Sequence, residues 1–111
     1  MAVVNQYKFK GINNDTTGNA LNIFGSGNPL VSETYLIKSI IVKSAGTPAP
    51  TVTNNDIVVI QSAALTANTS KELLTQPLIV EGGTTLTIKA GSADAFTFGV
   101  SYLNIKKEVT T

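Results

Sequence analysis

The side chains that could do chemistry in this 111-residue chain are carboxylates, lysines and hydroxyls. The chain has no Cys, His, Arg or Trp. Without Cys and His, it lacks a thiolate nucleophile, a disulfide, and the commonest general base and metal ligand. Without Arg, it lacks the main side chain that clamps phosphates and reads base edges. These absences argue against most enzymes and most sequence-specific nucleic-acid-binding proteins.

The seven carboxylates could in principle supply a glycosidase pair. Such a pair must flank a cleft, whereas most of these acids fall in predicted turns or at strand ends, where they would be solvated. The full set is Asp15, Glu33, Asp56, Glu72, Glu81, Asp94 and Glu108. Since aromatic residues for a sugar platform are also few, we expect no glycosidase and no enzyme of any other kind.

Two loops invite a binding interpretation. The segment Asn13-Asn14-Asp15, with Asn19 nearby, offers oxygen ligands for calcium, but it lacks the EF-hand spacing and holds one carboxylate. The segment Gly25-Ser26-Gly27 resembles half of a phosphate loop, yet Asn28-Pro29 follows it where a helix is needed. Ordinary turns explain both segments, so we predict no catalytic, cofactor-binding or metal-binding residue and no cofactor.

The lysines give no electrostatic reason to bind nucleic acid or an anionic membrane. The net charge is +1, and the eight lysines are scattered. Lys8-Phe9-Lys10, beside Tyr7, hints at a basic groove with aromatic residues, but the same alternation describes a half-buried strand. A Ser-Lys nucleophile using Lys38, Lys43 or Lys71 would be unusual. The longest aliphatic run, 57–60, is far too short to cross a bilayer. We therefore expect neither a nucleic-acid nor a membrane partner.

The dominant pattern is that of short β-strands separated by clusters of Gly, Pro, Asn and Ser. Strands are predicted at 3–9, 20–24, 34–43, 56–61, 73–80, 84–90 and 96–105, with 62–71 ambiguous and 11–19, 25–29 and 44–50 as loops. The sequence thus predicts one all-β domain over 1–111. We expect an antiparallel β-sandwich of Ig-like or jelly-roll type, with seven to eight strands.

Three strands carry clear facial patterns. In 84–90 and 96–105, apolar residues alternate with polar ones, which predicts one buried face in each strand. The segment 34–43 is apolar on both faces, with Tyr35, Ile37 and Ile41 on one side and Leu36, Ile40 and Val42, with Lys38, on the other. This pattern predicts a central strand, or a strand that a neighbouring subunit also covers.

Several segments resemble a known family. Glu72-Leu73-Leu74, Pro77-Leu78 and Glu81-Gly82-Gly83, followed by an alternating strand, resemble a pattern in small virion structural proteins of tailed bacteriophages, notably phages of marine cyanobacteria. The segment 35–42 is similar to their Ile-Lys-Ser-Ile strand, and 1–5 and 100–105 also fit. Gly83 stands where the family usually has Asp, and 24–29 replaces an expected Val-Pro-Ser-Gly turn.

This resemblance implies a virion component with no catalytic residues. The first expectation is a capsid decoration (cement) protein that stabilises the shell by binding between capsid subunits. Its partners would be the major capsid protein or other virion proteins, and a homotrimer is expected because closed symmetry should match the site occupied. One alternative is a neck, tail or fibre-associated virion protein, and another is a carbohydrate-binding β-sandwich module.

Overall fold

The computed structural model describes residues 2–15, 19–25, 29–91 and 95–108. These residues form nine strands and no helix: β1 Ala2–Asp15, β2 Ala20–Asn22, β3 Glu33–Ser44, β4 Thr51–Asn54, β5 Ile57–Gln61, β6 Lys71–Glu72, β7 Leu78–Glu81, β8 Leu86–Lys89 and β9 Phe96–Glu108. In the described ranges, therefore, no helix could span a membrane.

The strands form two antiparallel sheets. Sheet A has the order β1-β9-β3, with β6 and β7 both paired to the far edge of β3, and sheet B has the order β2-β8-β4-β5. If β6 and β7 are counted as one interrupted strand, β8 becomes the seventh strand and β9 the eighth. The two sheet orders are then 1-8-3-6 and 2-7-4-5, which is the jelly-roll arrangement. The all-β sandwich prediction is confirmed, and of its two variants the jelly roll is the one present.

The core lies between the sheets and is built on the alternating residues of β9 and β8. Phe96, Phe98 and Val100 are buried on one face of β9, as their alternation predicts, and Leu86 and Ile88 are buried on β8. The other buried apolar side chains are Ile23, Phe24, Tyr35, Ile37, Ile40, Val42, Val52, Leu65, Leu73, Val80, Ala90 and Tyr102. Burial of this apolar surface supplies the main driving force for folding.

Strand β3 is central, as predicted, but the predicted faces of its second half are wrong. A β-bulge between Ile37 and Ser39 shifts its register against β9. The extra residue moves Ile40 to the core side, beside Ile37, and turns Ile41 outward. Strict alternation cannot anticipate such an insertion, because the bulge is a property of the pairing rather than of the strand.

Three further predictions need correction. The predicted loop 11–19 begins too early, because β1 continues to Asp15 by pairing with β9. Of the predicted strand 73–80, only the end is a strand, β7 at Leu78–Glu81, while β6 lies just before it at Lys71–Glu72. Residues 73–77 between them include Pro77, which cannot donate to a ladder. Strand β4 was not predicted at all. With β4 and this division, the described residues hold nine strands rather than seven or eight.

Gly82 allows the β7–β8 turn to pack against the segment before β3. A Cβ at position 82 would overlap the carbonyl oxygens of Leu30, Val31 and Glu33. The amide of Gly83 also donates to Pro29 O at 3.0 Å. Since backbone rather than a flexible side chain fills the space, only glycine fits there.

We expect Gly82→Ala to lower the free energy of unfolding by about 3 kcal/mol, because the added methyl must displace backbone. The matched control is Gly25→Ala, at a residue with φ of +84° whose added methyl would meet no described atom within 4 Å. Backbone strain alone should cost the control about 1–2 kcal/mol. Urea denaturation measures the free energy of unfolding of both variants. An equal loss of stability in the two variants would contradict the conclusion that backbone atoms exclude a side chain at position 82.

Candidate interaction surfaces

In the part of the chain that the structure describes, the acidic side chains are not gathered into a metal site. Within the described ranges, no three Asp or Glu residues lie close enough to hold a metal ion. One member of the candidate calcium loop, Asn13, accepts a hydrogen bond at its Oδ1 from Thr97 Oγ1 at 2.9 Å. The side chains of Asn14 and Asp15, and residues 26–28 of the candidate phosphate loop, lie outside what the structure describes.

Glu72 fills a gap in the edge of sheet A. Along β3, pairing with β7 stops at Ile37, opposite Leu78, and pairing with β6 starts at Ile41, opposite Glu72. Among the described residues, no strand pairs with this edge of β3 between those two points. The Glu72 carboxylate accepts hydrogen bonds from Ser39 Oγ and from the amide of Ile40, the latter at 2.7 Å. The carboxylate therefore replaces a missing strand partner at the bulge.

Glu33 is a buried carboxylate at the start of β3. It accepts hydrogen bonds from the amide of Leu30 at 3.0 Å and from Asn104 Nδ2 at 2.9 Å. Burial on its own would raise the pKa of Glu33. The hydrogen bonds from Asn104 and Leu30, with the charges of Lys106 and Lys8, outweigh burial and hold the pKa below its ordinary value of 4.5. Glu33 is thus ionised at neutral pH and ties β3 to β9.

An aromatic cluster lies next to Glu33. The rings of Phe24, Tyr35 and Tyr102 pack with centroid distances of 4.6, 4.7 and 4.8 Å. Burial, followed by the negative charge of Glu33 and then Tyr102, raises the pKa of Tyr35 to about 12. Burial and Glu33 also raise the pKa of Tyr102. These tyrosines stay neutral at neutral pH, and their rings pack with Phe24 in the core.

The outer face of sheet A, which points away from sheet B, carries an apolar row across four strands. In register, Tyr7 on β1 lies opposite Leu103, Leu103 opposite Leu36, and Leu36 opposite Ile79 on β7. Tyr7 is 77% exposed and Ile79 is 56% exposed, while the two leucines are half-buried. A contiguous exposed apolar strip of this kind is typical of a protein-binding surface.

A shallow apolar groove lies beside this row. The ring of Phe9 lies over Gly99 and Gly11, where a Cβ on Gly99 would collide with the ring edge. Phe9 and Ile41, both exposed, line a groove of about 470 Å³. Because Gly99 has no side chain, the ring can lie against the sheet and the outer face stays flat at this point.

The edge of sheet B is also apolar and exposed. Asn55 and Asp56 both have positive φ, 49° and 63°, so a two-residue turn of the type I′ class joins β4 to β5. Ile57, Val58 and Val59 of β5 are 64%, 56% and 40% exposed. The described part of the chain places no strand beyond β5. The turn chemistry of Asn55-Asp56 was the signal that could have revealed β4.

The β5 edge lies on the opposite margin of the molecule from β1. Asn54 Nδ2 on β4 donates to Ile79 O on β7 at 2.9 Å. Ile57 and Val59 also line the same hollow as Ile79, about 290 Å³ in volume. Since β7 and β1 are on opposite sides of sheet A, the two exposed edges β1 and β5 face different directions.

Comparison with known proteins gives likeness of fold alone. No protein-family model matches the chain, and no curated protein matches it. One similar solved structure is a chain from Bacillus endospore appendages, described as a family of disulfide-linked pili. It is 20% identical, with a TM-score of 0.54 over 96% of this chain and 89% of that one. Another is from the virus-like particle of extra small virus of the giant freshwater prawn Macrobrachium rosenbergii, 12% identical, with a TM-score of 0.49 over 98% and 84% of the two chains.

The lowered pKa of Glu33 predicts a specific acid sensitivity. A carboxylate with a depressed folded pKa contributes stability that is complete above its unfolded value and is lost as the pH falls through the folded value. Between about pH 5 and pH 3, the unfolding free energy of the wild type should therefore fall more steeply than that of Glu33→Gln. At neutral pH the variant should be less stable by about 1–3 kcal/mol.

Urea denaturation at a series of pH values measures this difference. The control is Glu81→Gln, at an exposed carboxylate at the end of β7. The control should follow the wild-type curve more closely than Glu33→Gln does. If Glu33→Gln instead runs parallel to the wild type throughout the acid range, Glu33 does not supply the acid-sensitive stability.

Proposed function

We propose that the protein is a structural component of a tailed-bacteriophage virion, acting as a capsid decoration protein that binds between capsid subunits. The observation that carries the proposal is the apolar row Tyr7, Leu103, Leu36 and Ile79 on the outer face of sheet A. The proposed role includes no catalysis. Its location is the virion, and its partners are the major capsid protein or other virion proteins.

The outer face suits docking onto another protein surface. Tyr and Phe are enriched in the cores of protein interfaces, where they bury a large area at a low cost in side-chain entropy. Here Tyr7 and Phe9 project from the same face of β1. The row lies on hydrogen-bonded strands, so it is already in the geometry for binding and little order need be gained.

The low charge of the chain supports a role in assembly rather than binding to a highly charged partner such as a nucleic acid. Charged residues are 14% of the sequence, and the net charge is +1. Contact with a capsid surface would then rest on apolar burial and shape, which depend weakly on salt. This differs from a nucleic-acid contact, whose affinity falls steeply as salt rises.

The likeness to the Bacillus appendage chain adds that a chain of this fold builds an extracellular assembly. That assembly is described as disulfide-linked, whereas the present chain has no Cys. Disulfides between copies of this sequence would therefore play no part in its assembly. Homo-oligomerisation belongs to the proposal, and the threefold arrangement expected from the sequence stays a prediction.

The decisive experiment is a cryo-EM map of intact particles of the phage that carries this gene. Density for the protein repeated across the shell would support decoration and show whether the outer face of sheet A contacts the capsid. Density at the neck, tail or fibres alone would favour the alternative virion role. Complete absence from the particle would refute both virion roles, and a positive glycan array would then favour the carbohydrate-binding module.

If the apolar row contacts the capsid, Tyr7→Lys should weaken binding to particles at least about tenfold, because a charge would have to be desolvated in the interface. The control is Val31→Lys, which introduces the same charge at an apolar residue that is 89% exposed and outside the row. Both variants should keep the wild-type melting temperature. Co-sedimentation of each protein with undecorated particles measures the effect, and equal binding by the two variants would exclude the row.

A further inference from the structure

Two glycines lie directly opposite each other in sheet A. Gly11 of β1 pairs with Gly99 of β9, and Gly99 pairs with Ile41 of β3. Neither glycine has a positive φ, so the backbone conformation does not require glycine at these positions. The requirement comes from the ring of Phe9, because a Cβ on Gly99 would lie 2.5 Å from its Cζ atom. The glycines therefore leave a depression across the outer face, bounded by this ring.

The depression is the groove of about 470 Å³ that Phe9 and Ile41 line. Phe9 is 70% exposed and Ile41 is 48% exposed. A large apolar side chain of a partner would fit a hollow of this size. Its burial there would remove from water both its own surface and part of the surfaces of Phe9 and Ile41. The groove thus suits one aromatic or branched aliphatic side chain.

The charged side chains around this groove are positive. Of the described residues, Lys43 is the charged residue that lines the groove. An adjoining hollow, which Phe9 also lines, has Lys8 and Lys38 as its charged lining residues. Complementary charges favour association and select the partner. A partner of this face should therefore carry carboxylates beside its apolar side chain.

The carboxylate of Glu72 does not cancel this positive charge at the groove. Glu72 is paired with Ile41 across the ladder from β3 to β6. Its carboxylate, however, accepts hydrogen bonds from Ser39 Oγ and from the amides of Ile40 and Leu74. Three donors at the edge of β3 therefore hold it, and among the described residues it is not part of the groove lining.

We propose that the groove and its lysines bind an extended acidic segment of the capsid partner, with one large apolar side chain in the groove and a carboxylate on either side of it. This inference rests on the proposed function for the identity of the partner, whereas the chemistry of the segment follows from the groove. Lys38 and Lys43 lie on one strand, with Ile41 between them.

The positions of the two lysines define a sequence pattern for the segment. Five residues separate them, or about 15 Å along an extended strand. In an extended segment, residues i, i+2 and i+4 share one face and i and i+4 lie about 13 Å apart. Flexible lysine side chains can cover the difference. The segment should therefore read acidic-x-apolar-x-acidic, where x is any residue.

A protein segment fits this face better than a single-stranded nucleic acid. Exposed Tyr7 and Phe9 beside lysines would also suit base stacking. The face continues, however, into the aliphatic side chains of Leu103, Leu36 and Ile79. These side chains offer no hydrogen bond to a phosphate or a base edge, but they can pack against the apolar residues of a protein.

An NMR titration of the purified, ¹⁵N-labelled chain tests the proposal. The probe is the capped peptide Ser-Glu-Thr-Trp-Thr-Glu-Ser at low salt. We expect the amides of Gly11, Gly99 and Ile41 to shift, with a dissociation constant on the order of 1 mM. Replacing the Trp by Ala, or both Glu by Lys, should raise that constant at least about fivefold. Unshifted amides at these positions, or equal binding of the Lys peptide, would overturn the proposal.

Charge-reversal variants test the role of the lysines. Lys43→Glu should raise the dissociation constant of the acidic peptide at least about fivefold and lower that of the Lys peptide. Lys89→Glu is the matched control, since it makes the same charge change on β8 in sheet B. The control should bind the acidic peptide like the wild type. An equal loss of binding in both variants would show that net charge attracts the peptide, and would overturn the proposal.

Two further measurements test other occupants of the groove. Tighter binding of a single-stranded oligothymidylate at the same amides would overturn the proposal in favour of a nucleic acid. Shifts of these amides when only the protein concentration is raised would overturn it in favour of a second copy. No particle is used in these measurements, so their failure leaves the virion role to the cryo-EM map. Absence of the protein from the particle would instead refute the virion role without changing the peptide titration.

Discussion

The pairing of β9 with β1 on one side and β3 on the other is the constraint on which the rest of the structure depends. It runs almost the whole length of a 13-residue strand, from Phe96 to Glu108. Since side chains alternate across a strand, one register places Phe96, Phe98 and Val100 in the core and Gly99, Ser101 and Leu103 on the outer face. The core and the proposed docking surface are thus two sides of one ladder, and a slip by one residue would exchange them.

Two of the seven carboxylates, Glu72 and Glu33, have structural roles in sheet A. Glu72 satisfies the backbone at the β3 bulge, where β6 and β7 leave a gap. Glu33 anchors the start of β3 to β9 through Asn104. In both places a carboxylate accepts donors that sheet pairing does not satisfy, which avoids the cost of leaving them unpartnered.

The two exposed apolar regions differ in geometry and meet at Ile79, which lines the same hollow as Ile57 and Val59. The row on sheet A is a face, formed by side chains from four strands, and would contact a partner through apolar packing. The β5 edge is a margin, with no further strand beside it in the described part of the chain.

Much of the fold was predictable from the sequence. Patterns local to one strand sufficed for the all-β class, the antiparallel sandwich, the central position of β3 and the buried faces of β8 and β9. Alternation and turn residues report directly on half-buried strands. Local patterns could not predict three other features: the β3 bulge, the gap between β6 and β7, and the extension of β1 to Asp15. Each depends on which partner strand is present and where its pairing ends.

For the candidate surfaces, the difference between what the sequence predicts and what the tertiary structure decides is larger. The sequence by itself determined that reactive Cys, His and Arg side chains are absent and that apolar residues occur on both sides of β3 and throughout 57–60. Only the tertiary structure decided that Tyr7, Leu103, Leu36 and Ile79 form one row and that β5 lies at an open edge. The physical reason is that burial is a property of neighbours: the same aliphatic run is a core strand when both sides are covered and a binding edge when one side is open.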